Sequence, residues 1–274
     1  MLIAVSEVDV ADPSELLADL AAEGAALEAV VAGLEDTAWL MPTPAEGWTI
    51  AHSIAHLAWT DGQAEQAARD PEGFRLAAAG ASPDSLARAV DDAAAEGATA
   101  APEQLLARWK AGRAALAAAL TSLPAGTKLP WFGPPMSVAS MATARLMETW
   151  AHGLDITDAL HLPPTVSPRL RHVAHIGVRT RDFAFAQRGL PAPGEPFHVE
   201  LAAPDGSTWT WGPEDAAQRV TGPALDFCLR VTRRRNRADL ALQATGADAD
   251  RWLDIAQAFA GPAGEERPAA GAGA

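Results

Sequence analysis

The chain has 274 residues, and its 21 Lys+Arg against 35 Asp+Glu give a formal charge of −14. Hydrophobic residues are 49% and charged residues 20% of the total, a globular composition that excludes an intrinsically disordered polymer. The acidic balance argues against a nucleic-acid phosphate partner, which binds through Lys and Arg, and against an anionic membrane surface.

The N-terminal stretch MLIAVSEVDVADPSELL has neither the basic region nor the cleavage site of a signal peptide. No window is long and apolar enough to span a bilayer, so the expectation is a cytoplasmic protein. Asp12-Pro13-Ser14 signals a helix start, and Leu16, Leu17, Leu20, Leu27, Val30, Val31 and Leu34 then recur at helical spacing over residues 13–35. Pro42, Pro44 and Gly47 break the chain into a loop. Thr49 caps a second helix whose apolar face carries Ile50, Ile54, Leu57 and Ala58, and Pro71 marks its end. An Ala-rich helix follows over 83–97, then a stronger one over 102–122 with Pro102 in its first turn. Residues 123–136 (LPAGTKLPWFGPPM) form a long ordered loop carrying Trp131 and Phe132. Ser137 opens the next helix, which stops before Pro163-Pro164. Residues 1–162 therefore predict an all-α unit, a bundle of four main helices.

After Pro164 the pattern changes. Segment 167–189 predicts one more helix, rich in arginine. From Pro196 the period becomes two: FHVELAA and STWTWG alternate around the turn signal Pro204-Asp205-Gly206. QRVTG reads as a third strand, PALDFCLRV as a helix, ADLALQATG as a fourth strand and ADRWLDIAQAFA as a closing helix. Residues 163–262 thus predict an α+β unit with an antiparallel sheet, and 263–274 a disordered tail.

The residues that carry chemistry lie on two helices. His52 and His56 are spaced i,i+4, and so are Glu148 and His152, which puts each pair on one helix face. Such pairs taken singly are ordinarily solvated contacts or core features. Here His56 sits among Ile54, Leu57 and Trp59, and Glu148 among Leu146, Met147, Trp150 and Ala151. A carboxylate near an apolar seam is costly unless paired or metal-bound. Two facing pairs in one bundle can meet around an ion, and two His with one carboxylate is the ligand set of an open zinc or non-haem iron site. The lone cysteine, Cys228, lies in an apolar helix and reads as an inert buried thiol.

PTPAEGWTIAHSIAHLAWTD resembles the first metal-ligand helix of the DinB-like superfamily, most closely the mycothiol-dependent maleylpyruvate isomerase metal-binding domain, and METWAHGLDITDAL resembles its second. The resemblance spans about residues 12–162 and is specific around Trp48…His56-Leu57 and Glu148…His152-Gly153…Asp155. It implies a DinB-like four-helix bundle with His56, Glu148 and His152 as ligands to a divalent ion, zinc first. His52 then falls in the second shell or cavity lining, and Asp155 orients a ligand histidine or stabilises its helix. RVTGPALDFCLRVTRRRNRADLALQATGADADRW is similar, more weakly, to the family's sterol-carrier-like α+β domain. That similarity implies a basic residue reaching the substrate, with Arg230 and Arg233, Arg234 and Arg235 as candidates. Trp59, Trp131 and Phe132 are candidate pocket residues. The chemistry implied is that of mycothiol-dependent isomerases and S-transferases: a metal-activated thiol added to an electrophilic small molecule, with mycothiol as cosubstrate. The same ligand set also serves a thiol-independent hydrolase or lyase, or a non-enzymatic metal-bearing binding protein. The sequence leaves the substrate and the choice between monomer and homodimer open.

Overall fold

The structure, a computed structural model, describes residues 13–124, 126–261 and 266–271. The helix-start residue Asp12, the N-terminal stretch before it and the last residues of the tail lie outside them. Helix α1 (Pro13–Val31) leads through a short 3-10 turn (Asp36–Leu40) to α2 (Ile50–Arg69). Then come α3 (Pro71–Ala78), α4 (Pro83–Gly97) and α5 (Pro102–Thr121). A two-stranded ribbon, β1 (Lys128–Leu129) and β2 (Met136–Ser137), precedes α6 (Val138–Ala159). Helices α1, α2, α5 and α6 close a bundle in which α2 packs on α5 and α6, and α1 on α6 and α5. Ile50, Ile54, Leu57, Leu105, Trp109 and Ile156 fill one end of it, as the apolar stripes of these helices require.

Two helical segments differ from expectation, and the loop over 123–136 carries the β1–β2 ribbon. Pro71 does not only end α2; it opens α3, because proline suits a first helical position and Asp70 caps it by accepting from Gly73 N (2.9 Å). The arginine-rich segment is two helices, α7 (Leu170–Arg179) and α8 (Arg181–Gln187), broken at Thr180.

The remaining elements are β3 (Phe197–Ala202), β4 (Thr208–Trp211), β5 (Gln218–Pro223), α9 (Ala224–Val231), β6 (Gln243–Thr245) and α10 (Ala247–Ile255). The sheet has strand order β4-β3-β5-β6 and is mixed. The hairpin β3–β4 and the pair β5–β6 are antiparallel, while β3 and β5 run parallel with Val199 opposite Val220. Alternation in the sequence tells which side chains face the core but not which strand lies beside which. The apolar face of this sheet and α9 joins the other end of the bundle in one core, from Leu146 and Trp150 through Val173 to Phe227 and Trp252.

Helix α7 is the shared layer, touching α6 on one side and α9 on the other. A Cβ added at Gly177 would lie 2.8 Å from Val231 Cγ2 and 2.9 Å from its Cγ1. Branched, buried Val231 has no room to yield, so Gly177→Ala is expected to destabilise by about 1–3 kcal/mol through overpacking, read as a lower midpoint in urea at unchanged m-value. Trp150 Nε1 donates to Thr165 O (3.0 Å), tying the connection after α6 back onto that helix.

Candidate metal centre

The loop before α2 is fixed by its own backbone. Thr43 N and Oγ1 both donate to Trp48 O (2.8 and 3.0 Å), Trp48 N donates to Ala45 O (3.0 Å), and Pro42 bridges Thr49. Thr49 then caps α2 in a box with His52, whose Nδ1 lies 2.8 Å from Thr49 Oγ1. This cap places His52 at the start of the helix, and His56 one turn on, in the interior. From the facing helix, Glu148 and His152 project one turn apart.

The three side chains converge. His56 Nε2 lies 3.2 Å from Glu148 Oε2, and His152 Nε2 lies 3.5 Å from the same oxygen. One ligand-type atom from each residue falls within 4.8 Å of the others. Bonds of 2.0–2.2 Å at tetrahedral angles place ligand atoms roughly 3.3–3.6 Å apart, so the spacings of 3.2 and 3.5 Å are close to those of donors around a single ion. The buried His56 Nδ1 and His152 Nδ1 have no hydrogen-bond partner among the described residues. These are the ring nitrogens turned away from Glu148; the Nε2 atoms are the ones that face the carboxylate.

Electrostatics agree. Burial, and after it the neighbouring His152, push the His56 imidazole down to about 4, so it is neutral at physiological pH, as a ligand must be. Burial works to raise the Glu148 carboxyl, but the hydrogen bonds from His152 and His56 outweigh it and hold it well below the usual carboxylate range.

Around the three ligand candidates, Trp48 stacks on His152 (5.7 Å between ring centroids, 19° between planes) and tilts against His56 (5.2 Å). In the sequence Trp48 stands out only as part of the motif Trp48…His56-Leu57, just before the cap of the His56 helix. Asp155, wholly buried, lies one turn beyond His152, with Oδ2 3.6 Å from His152 Nδ1. Arg234 pairs with it through both carboxylate oxygens (3.2 and 2.7 Å), and Arg267 adds a third contact (2.6 Å). Burial works to raise the Asp155 carboxyl; the Arg234 and His152 charges outweigh it and hold it low. One turn on, Arg235 pairs with Asp158 through both oxygens (2.8 and 2.6 Å). Arg267 falls in the segment expected to be a disordered tail. Within the described part of that tail, 266–271, Arg267 donates to Asp155 and Asp158 on α6.

Not every candidate joins the cluster. Arg230 is buried elsewhere, its donors taken by Leu253 O, Asp254 O and Glu266 Oε1. Cys228 is wholly buried, its thiol pushed up by burial. Trp131 and Phe132 sit at the tip of the β1–β2 ribbon and pack in an aromatic group. Trp131 stacks on Phe74 (5.8 Å), and Phe132 on Trp59 (6.2 Å), three residues beyond His56 on α2. Phe74, wholly buried in α3, went unnoticed in the sequence because its helix did.

Comparisons with known proteins agree on the fold. The profile of the mycothiol maleylpyruvate isomerase N-terminal domain matches residues 20–157, and that of wyosine base formation matches residues 193–245. Two uncharacterized proteins of Mycobacterium tuberculosis, from two strains, are each 57% identical over 259 residues, covering 94% of this chain and all of theirs. A crystal structure of a mycothiol-dependent maleylpyruvate isomerase superposes with a TM-score of 0.58 at 16% identity, over 85% of this chain and 93% of that one. A histidine-to-alanine mutant of such an enzyme gives 0.57 at 17%, over 82% and 90%. Among the described residues no helix is long and apolar enough to cross a membrane.

Proposed function

The chain belongs to the mycothiol maleylpyruvate isomerase N-terminal domain family, and from that premise we propose that it is a metal-dependent enzyme that activates a small thiol, mycothiol first, for addition to an electrophilic small molecule. The convergence of His56, Glu148 and His152 on one point carries this reading. His56 and His152 through Nε2, and Glu148 through a carboxylate oxygen, would hold a divalent ion, zinc first. Such an ion supplies the charge that keeps a thiol deprotonated at neutral pH. The protein's own cysteine is buried and unsuited to be the nucleophile, so the thiol is brought in as a cosubstrate.

The chain's residues have separate tasks. Asp155 faces His152 Nδ1 and would hold that ring with Nε2 free for the ion. Arg234, anchored on Asp155, is the basic residue of the second half whose charge also reaches Glu148, and is our candidate for orienting an anionic substrate group. Trp59, Trp131 and Phe132 would wall the approach along α2. His52, held by Thr49, supports the start of the helix.

Trp48 closes one side of the cluster against water. Trp48→Ala should weaken metal binding by about 10–100-fold, the range for a residue that orients ligands without touching the ion, while Trp48→Phe keeps most of the affinity; chelator competition measures both.

The reaction is tested with protein purified without chelator, supplied with maleylpyruvate and a panel of other electrophiles, with and without mycothiol. Turnover of at least one substrate that requires the thiol is expected. Turnover indifferent to mycothiol would replace this reading with a hydrolase or lyase. Stoichiometric metal with no turnover of any electrophile would replace it with a binding protein.

A further inference from the structure

Helix α9 ends in a motif that ordinarily takes glycine. Arg234 N donates to Leu229 O and Arg233 N to Arg230 O, each at 2.9 Å, the paired closing bonds of a Schellman cap. The residue at the turn of this cap is left-handed, and Arg233 adopts φ 58°. A Cβ makes that conformation costly, which is why glycine usually holds the place.

The side chain adds a second cost. Arg233 is only 9% exposed. Its Nη1 is buried without a hydrogen-bond partner, and the guanidinium makes no ion pair among the described residues. An unpaired buried cation is strongly disfavoured. Local strain and an unmet charge at one residue are the signature of a group kept for binding.

The surroundings indicate what it would bind. Among the described residues, the charges acting on Arg233 are those of Arg188, just after α8, Arg230 on α9 and Glu266 in the tail. A carboxylate already docks here: Glu266 hydrogen-bonds Arg230, and its charge also acts on Arg233, but among the described residues it makes no ion pair with Arg233. None of these residues belongs to the metal cluster.

We infer that Arg233 anchors a binding site for a small oxyanion, a carboxylate or phosphate group. A guanidinium fork matches the paired oxygens of either group. The inference goes beyond the proposed reaction and does not depend on it.

The test is thermal unfolding of the full chain titrated with inorganic phosphate or, separately, malonate, at ionic strength held constant with chloride. At least one anion should raise the Tm saturably, by roughly 5 °C well above its Kd. A response to phosphate marks a phosphoryl ligand and a response to malonate a carboxylate. Arg233→Gly suits the left-handed backbone, so it should raise the Tm without anion and abolish the response. Arg233→Lys, which keeps the charge but loses the fork, should respond more weakly than the parent. The inference is overturned if neither anion outperforms chloride, or if Arg233→Gly responds like the parent. It is equally overturned if Arg233→Gly is less stable than the parent without anion, since the guanidinium would then be a structural brace.

Discussion

Replacing His152 by alanine should leave a protein that folds and holds no stoichiometric ion. The face of α6 that builds the core, Leu146, Met147, Trp150 and Leu154, is untouched by the change, and the deleted imidazole lies at the edge of that core with 12% of its side chain exposed. The fold therefore loses little. The candidate site loses one of three donors, and with it a larger share of affinity than the ~10–100-fold that follows loss of an orienting neighbour. Glu148→Gln sharpens the test, because the amide keeps the shape and removes the charge. Both variants should show ordinary helical circular dichroism and a metal content near zero by elemental analysis after purification without chelator. A His152→Ala protein that keeps the ion at the parent's stoichiometry would refute the ligand assignment.

That site was readable because its chemistry is written in local spacing. Two residues four apart share a helix face wherever the helix goes, so the pairs His52/His56 and Glu148/His152 stood out as candidates without knowledge of the fold, and the family resemblance chose His56 over His52. The four bundle helices were readable for the same reason, since their apolar positions repeat at the helical period. What escaped depends on partners distant in sequence. Arg234 and Asp155 are 79 positions apart, and no pattern within either segment announces the pairing; a run of arginines looks like a solvated face. Trp48 sits in a loop, where periodicity is silent and the hydrogen bonds of Thr43 decide the direction of the chain. The parallel register of β3 with β5 was hidden likewise, because alternation is the same for either direction of a neighbour. Helix α3 was lost to a simpler ambiguity, since proline can end one helix or begin the next, and the Asp70 side chain settles which.

The buried pair Asp61–Arg145 should separate stability from assembly of the site. Arg145 Nε donates to Asp61 Oδ1 (2.9 Å), with both side chains 3% exposed. Arg145 Nη2 also donates to Thr60 Oγ1 (2.6 Å), and that hydroxyl in turn donates to His56 O (2.8 Å). Arg145 lies three residues before Glu148, so this chain of contacts fixes α2 against α6 one turn from the point where the ligands meet. Burial nonetheless raises the Asp61 carboxyl despite the guanidinium beside it, the behaviour of a pair whose desolvation rivals its attraction. Asp61→Ala should therefore destabilise by about 3–5 kcal/mol, because it leaves a buried guanidinium without its counter-charge. The double replacement Asp61→Leu with Arg145→Met removes both charges and fills the space, and should restore the unfolding free energy to the parent's level or above it. Yet the double variant also cuts the link through Thr60 to His56. Its metal affinity should stay below the parent's by about 10-fold, as expected for lost outer-shell support. Urea unfolding and chelator competition on the three proteins measure the two quantities separately. A double variant with restored stability and unchanged metal affinity would show that helix packing alone brings His56 to Glu148 and His152, and that the ion pair has no part in setting the site.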